Sequence, residues 1–284
     1  MPLTLFVVLL FIIALVGAYG IFIERRRLSI TRHDVHSTAL PEGFHGKTIV
    51  QFSDTHIGPQ YSLEHLKQLI LHINSLHPDI VVFTGDLFDA RYKDIAKSYD
   101  PTMILAQINA SLGKYAVYGN HDFGYTRKAR NSGSHLSHAG FKVLINEVDR
   151  ITLPNGEYIT VAGLDDYVNG KPNANSTFSV RNGDGFHLLL AHEPDIADRL
   201  VRYPIDLQLS GHSHGGQVTL PWVGALIKTP LGKKYISGMY QIKKRSYDDR
   251  PYRLYVNRGI GTTRIPIRIG CVPELSVFTL WRSR

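Results

Sequence analysis

The stretch Asp79-Ile-Val-Val-Phe-Thr-Gly-Asp-Leu-Phe-Asp89 decides the fold. Its run of β-branched and aromatic residues reads as a strand with no polar face, the mark of a parallel strand buried on both sides. Gly85 then frees the backbone to turn, and Asp86 presents a carboxylate at the strand's end. An acid held in that position is costly unless a cation meets it.

Working outward, the same strand-then-polar-residue unit recurs. Upstream, Lys47-Thr-Ile-Val-Gln-Phe52 ends at Ser53-Asp54-Thr55-His56. Between these two strands, Leu63, Leu66, Leu69, Ile70 and Ile73 recur at helical spacing, and His77-Pro78 stops the helix. Downstream, the pattern predicts a helix over Ile95 to Leu112, a strand at Tyr115-Ala-Val-Tyr118 running into Gly119-Asn-His-Asp122, a helix over Arg127 to Gly140, and a strand from Phe141 to Ile145. Asn155-Gly156 signals a hairpin, so the topology turns antiparallel between Asn146 and Gly163. Two further strands, Phe186 to Ala191 and Ile205 to Ser210, end at His192 and at Gly211-His-Ser-His214, and Leu275 to Trp281 closes the chain as a last strand. The expectation is a mixed α/β (α+β) domain with its polar motifs at the carboxyl ends of the strands of one sheet, where open α/β sheets bind ligands.

The N-terminus departs from this pattern. Pro2 to Ile23 carry no charged side chain, and as a helix they span roughly 33 Å, close to a hydrocarbon core of about 30 Å. The absence of a basic segment ahead of the apolar run, and its length, favour an uncleaved membrane helix over a signal peptide cut near Ala18. Glu24-Arg-Arg-Arg27 follows, and this positive flank predicts a single-pass protein of the cell membrane with its catalytic domain in the cytoplasm. Residues 1–24 therefore read as a transmembrane anchor, 25–46 as a polar linker containing Pro41, Gly43 and Gly46, and 47–284 as the domain.

With 43% hydrophobic residues in 284, the chain can bury a full core, and it shows no repeat or disordered tract. Its formal charge of +8 favours anionic partners. A single cysteine, Cys271, excludes a disulfide framework and a Cys-rich zinc site, so a metal must be held by His, Asp, Asn or Glu. The segment from Lys228 to Arg250 interleaves lysines and arginines with Tyr235, Tyr240 and Tyr247. It reads first as a solvated face and next as a membrane-surface patch. Nucleic acid is not expected, despite the aromatic interleaving.

Taken singly, an Asp after a strand is usually a helix N-cap and a His beside an apolar run a satisfied core residue. Their convergence changes that balance, since Asp54, His56, Asp86, Asn120, His121, His192, His212 and His214 all fall at strand ends. Oxygen and imidazole ligands without a thiolate suit Mn, Fe, Zn or Mg.

The ordered set Asp54-x-His56, Gly85-Asp86, Gly119-Asn-His-Asp122, Ala191-His192 and Gly211-His-x-His214 resembles the calcineurin-like metallophosphoesterases, from about Lys47 to Trp281. The apolar N-terminus, Gly211-His-Ser-His-Gly-Gly-Gln217 and Arg258-Gly-Ile-Gly261 look like the membrane-associated bacterial branch, some members of which cleave the pyrophosphate of UDP-diacylglucosamine lipids. The resemblance implies a four-layer α/β/β/α sandwich and two divalent metal ions. It assigns Asp54, His56 and His214 to one ion, Asn120, His192 and His212 to the other, and Asp86 to both. It implies in-line attack on phosphorus by a hydroxide shared between the ions, with His121 stabilising charge or protonating the leaving oxygen and Asp122 holding its ring. Guanidinium geometry makes Arg258, Arg264 and Arg268 candidates for gripping substrate phosphate. The expected substrate is a phosphodiester or pyrophosphate, in a lipid or nucleotide-linked lipid. A broad phosphomonoesterase or protein phosphatase is the alternative, and a non-catalytic docking module on the same fold is disfavoured because every ligand type is present.

Overall fold

A computed structural model describes residues 3–179, 185–244 and 250–283. Arg245 and Tyr247 of the basic segment lie outside these residues. The chain begins with helix α1 (Leu3–Phe22), long and apolar enough to cross a membrane. A helical turn at Glu24–Arg26 leads into β1 (Ser29–Ser37), followed by β2 (Thr48–Phe52), α2 (Leu63–Ser75) and β3 (Ile80–Phe83). Next come the short helices α3 (Ile95–Ser98) and α4 (Thr102–Leu105), then β4 (Lys114–Ala116), α5 (Gly133–His138), β5 (Phe141–Val143), β6 (Glu147–Thr152) and β7 (Tyr158–Gly163). Helix α6 (Ala174–Thr177) precedes β8 (His187–Leu190) and β9 (Leu207–Ser210). The small hairpin β10 (Thr219–Leu220) and β11 (Gly224–Ala225), β12 (Gly238–Ile242), β13 (Tyr252–Val256) and β14 (Glu274–Arg282) complete the order.

The motifs do not line one sheet, as expected, but two. The first runs β1-β14-β2-β3-β4-β5 and the second β12-β13-β9-β8-β7-β6. Because β2, β3, β4 and β5 are mutually parallel, and so are β7, β8, β9 and β13, each sheet delivers several carboxyl ends to one edge. Three apolar cores separate four layers. Val50, Phe52, Val81 and Phe83 face Leu66, Leu69, Ile70 and Ile73 of α2. Alternate residues of the same strands, Ile49, Ile80 and Val82, meet Val161, Leu188, Leu190, Leu207 and Leu209 of the second sheet. The far side of that sheet is covered by the helical turn Pro194–Arg199 and by α6 through Leu189, Ile196 and Ala197. A strand buried on both faces is why Ile80–Phe83 carries no polar residue.

Three local expectations change. The stretch expected to be linker contains β1, which pairs in parallel along all nine residues with β14, from Ser29–Glu274 to Ser37–Arg282. It is an edge strand with only Val35 and Ser37 buried, so its composition is polar for the same reason that a linker's is. The helix expected over Ile95 to Leu112 splits at Tyr99, which is extended, two residues before Pro101, a residue that disfavours helix immediately before it. The helix expected from Arg127 shortens to α5, since Arg127 itself takes a left-handed φ of 57° that a helix cannot hold. By contrast α2 follows Ser62, whose hydroxyl accepts from the His65 N–H while the His65 ring accepts from the Ser62 N–H, and it buries four of the five apolar residues that the spacing marks, Leu63 being partly buried.

Helix α1 is exposed along its length and seated at its end. A Cβ on Gly20 would lie 2.7 Å from the Arg268 carbonyl and 2.8 Å from Ile267 and Ile269, so only glycine permits this approach. The Gly20 carbonyl accepts from the Arg268 N–H at 3.2 Å, and buried Glu24 accepts from the Cys271 N–H at 2.7 Å. The apolar helix thus joins the body through a packed contact.

Candidate metal centre

The expected ligands converge where the two sheets' strand ends meet. Asp54 and His56 follow β2, Asp86 follows β3 and Asn120 follows β4, all in the first sheet, while His192 follows β8 and His212 and His214 follow β9 in the second. Asp54, His56, Asp86, His212 and His214 take φ values of 54°, 47°, 63°, 68° and 52°. Left-handed backbone at five non-glycine residues stores strain that the surrounding packing must hold, as at functional sites generally. Gly119 makes the closest approach possible, because a Cβ there would meet Asp86 Oδ1 at 2.3 Å and the His192 ring at 2.6 Å.

Among the described residues, two donor groups are made of the expected ligands, beside a third of His56, Asp89 and His121. In one, Asp54, His56 and His214 bring ligand atoms within 4.8 Å of one another; in the other, Asp86, His192 and His212 do so. His56 and His214 oppose their Nε2 atoms at 3.0 Å, and Asp54 Oδ1 lies 3.4 Å from His214 Nε2. Asp86 Oδ2 stands 3.6 Å from His56 Nε2 and 3.3 Å from His192 Nε2, so one carboxylate oxygen faces both groups. Orientation of the rings comes from their other nitrogens: His192 Nδ1 donates to the Thr84 carbonyl at 2.7 Å and His212 Nε2 to the Pro230 carbonyl at 2.6 Å, which fixes the tautomers and turns the remaining lone pairs inward.

Unpaired atoms support cation binding. Among the described residues, His192 Nε2 and Asn120 Oδ1 are buried without a hydrogen-bond partner, a cost that a dication removes. Burial, with neighbouring imidazoles adding to it, holds His56 and His214 well below the usual range and lowers His212 to about 4, which keeps these rings in the neutral, ligating form. Desolvation opposes protonation of His192 as well, but the adjacent Asp86 carboxylate outweighs it and holds that ring above the usual range. Asp86 itself is buried, yet its three imidazole neighbours keep it ionised.

Asp122 does not hold the His121 ring. Its carboxylate accepts from the N–H groups of Asp86, Leu87 and Gly119 at 2.8, 3.0 and 2.8 Å, tying the loop after β3 to the loop after β4. Burial and the nearby Asp86 push it up to about 6 against the pull of those donors. The His121 ring is placed instead by the Ala90 N–H, which donates to Nδ1 at 3.3 Å, so a neutral ring carries its proton on Nε2. The His121 N–H also donates to Asp86 Oδ1 at 2.7 Å.

A cleft of about 310 Å³ opens over the two groups, lined by Asp86, His121, His212 and His214 together with Arg91, Arg127 and Arg264. Arg264 thus lies in the wall of this cleft; Gln217 holds its loop by accepting from the Thr263 N–H and donating to the Ile265 carbonyl. Arg268 is not there. It is fully buried, with its guanidinium donating to the carbonyls of Gly259, Gly261 and Cys271. Arg258 spends its side chain on Glu274 at 3.0 Å. Arg91 and Arg127 are missing from the sequence reading because neither belongs to a motif. Asp89 orients Arg91, whose Nε and Nη2 donate to its two carboxylate oxygens at 2.9 and 2.5 Å.

Residues 47–216 match the family model for the calcineurin-like phosphoesterases. The chain is 42% identical over 267 residues to an uncharacterised metallophosphoesterase of Bacillus subtilis, YkuE, covering 93% of this chain and 90% of that one. It is 30% identical to the UDP-2,3-diacylglucosamine pyrophosphatase LpxG of Chlamydia muridarum, covering 90% of each chain. A transmembrane protein with a metallophosphoesterase domain from Danio rerio is 28% identical, over 96% of this chain and 62% of that one. Among solved structures, the NAD nucleotidase of Haemophilus influenzae superposes with a TM-score of 0.47 at 16% identity, over 75% of this chain and 45% of that one. The chain belongs to the calcineurin-like phosphoesterase family, hydrolases that act on phosphate esters with divalent metals.

Proposed function

We propose that this protein is a membrane-anchored phosphoesterase that uses two metal ions to hydrolyse a phosphodiester or pyrophosphate bond in a lipid-linked substrate. The observation that carries the reading is Asp86, whose one oxygen faces both His56 and His192 at the floor of an arginine-rimmed cleft. Asp54, His56 and His214 would hold one ion and Asn120, His192 and His212 the other, with Asp86 between them. Bound there, two dications supply Lewis acidity toward phosphoryl oxygens and an activated water. The chain's own residues do the rest. Arg127 and Arg264 grip the substrate's phosphate oxygens by charge-assisted hydrogen bonds, Arg91, held by Asp89 and the Arg264 carbonyl, adds its charge to the rim, and His121, with its proton on Nε2, stabilises the developing negative charge or donates to the leaving oxygen.

A lipid-linked substrate is supported by α1 and by the likeness to LpxG, named for a pyrophosphate of an acylated sugar nucleotide. The arginines at 25–27 support a cytoplasmic domain. The test is a substrate panel on metal-stripped protein resupplied with Mn, Fe, Zn or Mg. Faster hydrolysis of bis(p-nitrophenyl) phosphate and UDP-linked lipid than of p-nitrophenyl phosphate is expected. Preference for the monoester would instead establish a phosphomonoesterase, and no hydrolysis with any metal would leave only a docking role.

A further inference from the structure

Apart from α1, exposed apolar side chains gather on the hairpin β10–β11 and its flanks. Leu220, Trp222, Val223 and Leu226 stand open to solvent, Trp222 completely, and Ile265 is exposed beside Arg264 at the cleft. Trp222 holds a left-handed φ of 62° in the turn, so the backbone is strained in a conformation that leaves a large aromatic ring without a packing partner. Such a ring is costly in water and marks a contact surface.

Both roots of this hairpin belong to the metal centre. On one side the Gln217 N–H donates to the carbonyl of His214, and on the other the Pro230 carbonyl fixes His212 and, with Thr229, walls the cleft. The hairpin is also bound to the seat of α1. Val218 bridges to Ile269, the Thr219 N–H donates to the Ile269 carbonyl at 2.8 Å, and Ile269 is one of the residues against which Gly20 packs. The hairpin therefore stands one strand pairing away from the point where α1 leaves the body. Cations frame this region: Arg26 and Arg27 are exposed at the end of α1, and exposed Lys228 follows Leu226. Tryptophan at the level of the headgroups, with basic residues beside it, is the signature of a bilayer interface.

We propose that hairpin β10–β11 is a second membrane contact, with Trp222, Val223 and Leu226 set into the headgroup–acyl boundary of the bilayer that α1 spans. The packed seat of α1 keeps the hairpin at a fixed height, so the mouth of the metal cleft is held against the lipid surface. A lipid-linked phosphate then reaches Arg264 and the metal centre with its acyl chains still in the membrane. This rests on reading α1 as a membrane anchor.

The chain has two tryptophans, Trp222 and Trp281, which makes the proposal directly measurable. Trp281 pairs with His36 near the far end of β14, while Glu274, at its near end, lies beside the loops that seat α1, a separation of about 23 Å along the strand. The full-length protein carrying Trp281→Phe is reconstituted into phosphatidylcholine–phosphatidylglycerol vesicles, with or without bromine on the acyl chains near the headgroups. Carbonate-resistant association reports insertion of α1 separately. Expected are blue-shifted Trp222 emission and its loss in brominated vesicles, whereas the Trp222→Phe protein, reporting half-buried Trp281, keeps a spectrum that vesicles do not shift and bromine does not quench. Inserted α1 with unquenched Trp222, or equal quenching of both tryptophans, overturns the proposal while leaving the anchor in place. Failure of α1 to insert overturns the anchor reading and the proposal together.

Discussion

At the scale of single residues, the seven proposed ligands are legible because each stands where an apolar strand stops. Their chemistry is then tested one atom at a time. Asp86→Asn should lower metal content, since one oxygen faces both donor groups; elemental analysis of the purified variant showing two ions per chain would refute the shared role. His121→Ala should keep its metal and lose about 10²- to 10⁴-fold in turnover, the range for a lost proton donor. An active variant would return His121 to a merely structural part. The arginines show what sequence could not convey. Arg264 and Arg268 lie four residues apart, yet one is exposed at the cleft and the other is buried against three carbonyls. Those partners come from loop residues whose positions no local pattern encodes. Arg264→Ala should therefore raise KM without changing Tm, whereas Arg268→Met, stranding buried carbonyls, should cost on the order of 3 kcal/mol in stability. A thermal melt and a saturation curve for each variant separate the two.

At the scale of elements, hydrophobic period read the buried strands well and the edge poorly. The strands β2, β3 and β8 are mostly apolar and buried on both faces, so their composition reports their state, whereas β9 buries Gln208 and Ser210 between its leucines. Strand β1 buries two residues and leaves the rest of a polar sequence exposed or half-buried, which is indistinguishable from a linker until β14 is seen to pair with it. The division into two sheets was equally illegible, because pairing partners such as β9 and β13 lie over forty residues apart and a strand's own sequence does not name its neighbour. The seat of α1 makes a prediction at this scale. Gly20→Leu preserves the apolar length needed to cross a bilayer but forces a side chain into the Arg268 carbonyl and Ile267. Overpacking of this kind costs typically about 1–3 kcal/mol. The full-length variant in detergent should melt at a lower temperature than the parent while remaining membrane-inserted, and an unchanged melt would show that α1 is a loose tether.

At the scale of the whole molecule, two sheets packed face to face bring their strand ends together over a cluster of imidazoles, three of which the fold keeps uncharged. His56 and His214 sit well below their ordinary range and His212 at about 4, whereas in the unfolded chain all three titrate near 6.5. As pH falls below that value, the unfolded chain takes up protons that the folded one refuses, so stability is lost until the folded pKa values are passed. For His212 alone the window runs from 6.5 to about 4, worth on the order of 3 kcal/mol at 1.4 kcal/mol per unit. His192 acts with the opposite sign. Its raised value adds stability that is already complete below 6.5 and fades as pH rises through the folded pKa, so it does not offset the acid loss. Ionised Asp86, lowered in the fold, adds stability above its unfolded value near 4 and reinforces the loss only below that. Asp122, raised to about 6, and Glu193, also raised, take up protons in the fold before they do so in the unfolded chain, so they gain stability as pH falls and offset a loss of about the size that His212 contributes. The net fall then rests on His56 and His214, and metal-stripped full-length protein should melt at progressively lower temperature from pH 6.5 to pH 4.5. Added Mn or Zn should raise Tm strongly at pH 7 and progressively less as protons compete for the same lone pairs. A melting temperature that is flat in pH without metal would show that these three imidazoles are not held neutral by the fold, and a metal-induced gain that is flat in pH would show that the ions bind elsewhere.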